Sequence, residues 1–173
     1  MMQMLAAGGL PILTDNNRKP DIDNPRGYLE FEAVKRTRQD PAWLTQAQGK
    51  AVKIVHVQLL NLPRSFQYRI IFMKRQIGEV LASQRIMLKR AGKPMAALPD
   101  SRLAAIYLEQ LNTVRSYISD RPEFQMLEID YLLCVMQPAI VATDVNQFLG
   151  GCLEESQMSK AVAPSLYRNR ADG

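Results

Sequence analysis

The run Ile70-Ile71-Phe72-Met73-Lys74-Arg75, followed at once by Ile77, Val80, Leu81, Gln84 and Leu88, constrains the fold more than any other stretch of the chain. Its first part is short, apolar and β-branched, as expected of a strand buried on both faces. Its second part repeats apolar residues at helical spacing and puts Arg85 and Lys89 on the other side. A strand that feeds straight into a helix is the opening half of a βαβ unit.

The same alternation recurs along the chain. Strands are expected at 11–14, 52–57, 68–73 and 125–129. Helices are expected at 1–7, 31–38, 41–48, from Ile77 onward, and at 101–119, 138–149 and 153–162. Gly8-Gly9 and Gly150-Gly151 suit helix ends, Pro138 a first helical turn, and Asp100 or Ser101 an N-cap. Between them, 15–27 is a polar loop rich in Asn, Asp, Pro and Gly, too long for a simple turn and therefore a candidate functional loop. There is no internal repeat, heptad array or low-complexity tract. Strands alternating with helices indicate an α/β domain with a mostly parallel sheet flanked by helices. At 173 residues the expectation is one domain spanning 1–173.

Several classes are set aside by simple features. Residues 1–13 are apolar but lack a basic start, and Gly8, Gly9 and Pro11 interrupt them, so they do not read as a signal peptide. The apolar stretch 131–142 is broken by Gln137 and Pro138 and is too short to span a bilayer. Cys134 and Cys152 match no metal-ligand spacing and read as reduced thiols. The sequence thus reads as a soluble cytoplasmic protein without a bound metal. Of the formal net charge of +5, the segment from Arg64 to Lys93 carries eight basic residues against the single acid Glu79. Such a cluster suits a phosphate-bearing partner, although a solvated basic face is the plainer reading of composition alone.

Within that segment, Arg75 closes the strand and Ser83 follows eight residues later on the helix. This puts a guanidinium at the carboxyl edge of the sheet, where open α/β sheets bind ligands. Arg offers a forked, permanently charged donor set for phosphate, and a serine hydroxyl adds one neutral hydrogen bond. The pattern resembles the 3′-phosphate-binding segment of P-loop sulfotransferases that use 3′-phosphoadenosine 5′-phosphosulfate (PAPS). Other stretches add to the likeness. Asn24-Pro25-Arg26-Gly27-Tyr28-Leu29-Glu30 resembles the Asn-Pro-x-Gly-aromatic-x-Glu segment of bacterial sulfotransferase-like proteins. Residues 50–57 resemble the family's next strand, with Lys53 at its lysine, and 163–170 resemble its C-terminal end. Met1-Met2-Gln3-Met4-Leu5 resembles the helix that follows the family's phosphate loop.

The resemblance implies a three-layer P-loop NTPase-like domain, PAPS as co-substrate, and transfer of a sulfuryl group to a hydroxyl or amine. It also implies what is missing: the first, central strand and the Gly-x-Pro-Arg-Ser-Gly-Thr-Ser loop that would cradle the 5′-phosphosulfate. The expectation is an N-terminally truncated chain whose inner strands have open edges and could self-associate through them.

Sulfuryl transfer requires a base for the acceptor and cations for the donor. Glu30 is the candidate base, and Lys53 the candidate contact to the leaving phosphate. His56 is the chain's only histidine. The better-known members place a catalytic histidine two residues after the strand lysine, where this chain has Val55. A one-residue offset turns a strand side chain to the other face, so a packed or strand-end histidine is the plainer reading of His56. Arg75 and Ser83, with Arg168 and Arg170, are the candidate nucleotide contacts. The acceptor, whether a small molecule, glycan or peptide, is not specified by these residues; neither nucleic acid nor a membrane is expected as a partner. Two alternatives stand beside the enzyme: an inactive remnant keeping only a 3′-phosphate subsite, and a basic nucleotide- or nucleic-acid-binding module.

Overall fold

The computed structural model describes residues 1–22, 24–90, 92, 94 and 98–166. Its ladder consists of two parallel strands, β1 (Tyr68–Lys74) and β2 (Phe124–Asp130), in register from Tyr68 opposite Phe124 to Lys74 opposite Asp130. Between them run α3 (Ile77–Arg90) and α4 (Asp100–Ser119), the crossover that a parallel pair requires. Before β1 come α1 (Met2–Ala7), a 3₁₀ turn Glu32–Arg36, α2 (Trp43–Ala47) and a 3₁₀ turn His56–Asn61. After β2 come α5 (Tyr131–Met136), α6 (Pro138–Leu149), α7 (Glu155–Lys160) and a last 3₁₀ turn Pro164–Leu166.

Successive side chains of a strand point to opposite faces, and here the two faces meet different helices. Ile71, Met73, Leu127 and Ile129 join one core with Met4 and Leu5 of α1, Val141 and Val145 of α6 and Met158 of α7. Tyr68, Ile70, Phe124 and Met126 join a second core with Trp43 and Leu44 of α2, Leu59, and Val114 and Ile118 of α4. The sheet is therefore a middle layer with helices on both faces.

Two extended segments share that layer. Ile12 and Ala51 form an isolated parallel bridge, with Leu13 N–H donating to the Ala51 carbonyl at 2.9 Å and Ala51 N–H to the Pro11 carbonyl at 2.8 Å. Ile12 and Ala51 face the first core, and Leu13, Val52 and Ile54 face the second. These segments alternate between the same two cores as β1 and β2 do.

Several expectations need correction. The strand expected at 52–57 does not form: the chain is extended after Ala51, but His56 already begins a 3₁₀ turn, and among the described residues no ladder continues past the single bridge. The strand expected at 11–14 reduces to the same bridge. The helix expected at 31–38 is a 3₁₀ turn, and the one at 41–48 is a short α-helix. The helical signals at the end of the chain hold: Pro138 opens α6, and Gly150 closes it in a left-handed conformation, φ +108°. Among the described residues, no helix is long and apolar enough to cross a membrane.

Candidate functional site

The carboxyl end of β1 delivers Arg75 into a tight constellation. Its Nε–H donates to Oε2 of Glu79 at 2.7 Å, one helical turn along α3, and Glu79 is only 5% exposed. The guanidinium also lies 4.8 Å from the ring centroid of Tyr131, in cation–π range. Burial raises the Tyr131 phenol above its ordinary pKa; the neighbouring Arg75 charge pulls the other way, and Cys134 and Glu79 add to the rise. Arg75 is thus oriented by an acid and an aromatic face, with its side chain 21% exposed. Ser83 lies in the second turn of α3, half-buried.

Beside Arg75, Lys74 pairs with Glu128 at 3.3 Å, and Arg115 donates to the same carboxylate at 2.9 Å. Burial pushes the Glu128 carboxyl up, but the hydrogen bonds from Arg115 and Lys74 outweigh it and leave the pKa lowered. The carboxyl edge of the ladder is therefore a row of matched charges.

A second constellation forms where the loop 14–30 meets the extended segment after Ala51. Lys53 Nζ donates to Glu30 Oε1 and to the Tyr28 carbonyl, both at 3.2 Å. Arg18 reaches the same Glu30 Oε1 at 3.5 Å, and its guanidinium stacks on the Tyr28 ring. The Tyr28 hydroxyl in turn donates to Asp21. Between Tyr28 and Glu30, Leu29 takes a left-handed backbone, φ +49°, which turns the Tyr28 carbonyl and the Glu30 side chain toward one lysine. A non-glycine residue held there costs about 1–3 kcal/mol. The loop is anchored at its start by Asp15, whose carboxylate accepts the N–H groups of Glu32 and Asn17 and is lowered in pKa by them, the Glu32 bond first. Both cations converge on Glu30 Oε1. Glu30 Oε2 has no partner among the described residues.

The structure thus brings Glu30 and Lys53 into contact. His56 begins the 3₁₀ turn instead, with its ring 4.9 Å from Tyr107 and its Nε2 3.3 Å from Gln110 Oε1, both on α4. Arg168 and Arg170 lie outside the described residues.

The basic run is dispersed rather than gathered. Arg64 pairs with Glu123, Lys74 with Glu128, Arg75 with Glu79 and Arg85 with Asp100, while Arg69 donates to the Leu149 carbonyl. Four of the basic side chains in that run therefore sit against carboxylates. Among the described residues, no group of three or more His, Cys, Asp or Glu could hold a metal ion.

Arg18, Glu79 and Tyr131 are members of these sites that the sequence reading did not single out. Glu79 was signalled by its i+4 spacing from Arg75. Tyr131 follows from register alone: Lys74 faces Asp130, so Arg75 and Tyr131 leave the sheet side by side. Arg18 had no signal in a loop of many polar residues. Comparison with protein-family models, curated proteins and solved structures finds no match to this chain.

Proposed function

We propose that the chain is built on the plan of a PAPS-dependent sulfotransferase: a P-loop NTPase-like α/β domain in which Arg75 and Ser83 receive the 3′-phosphate of the nucleotide. The observation that carries this reading is Arg75 at the carboxyl end of a parallel strand, flanked by the helix that bears Ser83. Ligands of open α/β sheets gather at that edge. Glu79 orients Arg75 through its Nε–H, and the planar fork of a guanidinium suits phosphate.

The second constellation supplies the transfer chemistry in this reading. Glu30 Oε2 accepts the proton of the acceptor hydroxyl or amine, while Lys53 and Arg18 hold Oε1. Lys53 is also the cation for the leaving phosphate. The ion pairs of Arg64, Lys74, Arg75 and Arg85 take four cations out of the surface that a basic nucleic-acid module would need for phosphate contacts.

Calorimetric titration of the purified chain with adenosine 3′,5′-bisphosphate, against 5′-AMP as control, tests the subsite. Preference for the bisphosphate, lost in Ser83→Ala and Arg75→Ala, is the expected result. Equal affinity for both nucleotides, or no binding by a folded sample, would sink the reading.

A further inference from the structure

In a parallel ladder, alternate residues of a strand direct both backbone groups to the same neighbour. Tyr68 N–H donates to the Glu123 carbonyl at 2.8 Å, which sets the phase: Tyr68, Ile70, Phe72 and Lys74 face β2, and Arg69, Ile71 and Met73 present their N–H and C=O groups on the other edge. Those three residues have no backbone partner there among the described residues. The same reasoning applies to the other pair. Ala51 spends both backbone groups on 11–13, so Val52 and Ile54 direct theirs away, again without a partner.

The two open edges lie in one layer between the same two cores, and no ladder joins them among the described residues. Ile70, Ile71, Phe72 and Met73, apolar toward both faces, remain half-buried rather than buried. A row of unpaired backbone N–H and C=O groups along a strand is a ready template for pairing, so this edge favours whatever supplies matching donors and acceptors.

We propose that the open edge of β1 is a docking site for one extended segment of another polypeptide, about seven residues long and apolar on both faces. It would hydrogen-bond to Arg69, Ile71 and Met73 by strand addition. Both-face apolarity is required because the segment would enter between two hydrophobic cores. A second folded copy of this chain fits poorly, because it would bring its own helices against the helices that already cover both faces of the layer.

The probe is a capped peptide with the sequence of this chain's own 68–74, which is apolar on both faces and carries Arg and Lys for solubility. The control is the same peptide N-methylated at alternate residues, which keeps the side chains and removes donors. With the full chain at saturating peptide, amide exchange at Arg69, Ile71 and Met73 is expected to slow by about tenfold or more, and the Tm to rise. The amides of Ile70 and Phe72, already in the ladder, should change far less. Equal effects from the N-methylated peptide would mean nonspecific apolar binding and overturn the proposal. Protection of the same three amides without peptide, in a sample that sediments as a dimer, would overturn it in favour of self-pairing; no protection in either case would also overturn it.

Discussion

Arg75 and Tyr131 stand side by side because Lys74 and Asp130, the residues before them, are the last register partners of the β1–β2 ladder; the guanidinium lies 4.8 Å from the ring centroid. A cation at the end of one strand is thereby oriented by an aromatic ring at the end of the next. The arrangement depends on parallel pairing, since antiparallel strands would place the two residues at opposite ends of the sheet.

Arg75→Ala should weaken binding of adenosine 3′,5′-bisphosphate far more than Arg168→Ala, measured by calorimetry on folded samples. The same change takes a partner from the nearly buried Glu79, and breaking such a pair costs about 3–5 kcal/mol. Titrations must therefore run well below the lowered Tm. Comparable affinity losses in the two variants would place the 3′-phosphate elsewhere.

Gly8→Ala should destabilise the chain by about 1–3 kcal/mol through overpacking. A Cβ at position 8 would stand 2.5 Å from Cγ of Met158, which is itself fully buried. Met158→Ala alone creates a cavity at a cost of about 2–5 kcal/mol. The two changes should be coupled, the double variant losing less than the sum. Strict additivity in denaturant melts would mean the α1–α7 contact is looser than described.

Thr37→Val should cost about 1–3 kcal/mol. The Thr37 hydroxyl donates to the Val34 carbonyl at 2.6 Å and accepts the indole N–H of Trp43 at 3.1 Å, in a buried setting. Valine keeps the shape but leaves that N–H without an acceptor. Trp43 is the chain's single tryptophan, so its fluorescence reports the transition directly. A lower midpoint with an unchanged denaturant slope is the expected result.

Stability should fall as pH rises from about 10 to about 12. Burial, helped by Tyr117 and Glu123, raises the Tyr68 phenol to about 12 from its ordinary value of 10.0. In that window the unfolded chain gives up the Tyr68 proton while the folded chain keeps it, so rising pH favours unfolding. Tyr107 and Tyr131 are shifted in the same direction, both chiefly by burial. Tyr68→Phe should show a shallower decline across this window in urea melts; an unchanged decline would assign the effect to the other two tyrosines.

Much of the helical framework was legible in the chain because its signals are local. Pro138, Gly150 and the apolar stripe of α4 mark elements whose physics lies within a few residues. Both ladder strands were legible too, β1 from its short β-branched run. What local signals could not show was whether a run such as 52–57 would find neighbours, since a strand exists only through its partners. Ala51 is bridged on one side, and the segment beyond it is not continued as a ladder. Glu30 and Lys53 were singled out as separate candidates, but their contact, Arg18 and the left-handed Leu29 were not legible. Their significance depends on where a long polar loop comes to rest.

The division of the sheet between two cores has a consequence for how substitutions combine. Ile70 and Ile71 are adjacent in sequence, yet Ile70 shares its core with Val114 of α4 and Ile71 shares its own with Val145 of α6. Double-mutant cycles should therefore give little coupling by packing between the two isoleucines. Any coupling by packing should instead run from each isoleucine to the residues it touches in its own core. Energetically, this chain is organised by strand parity rather than by proximity along the backbone.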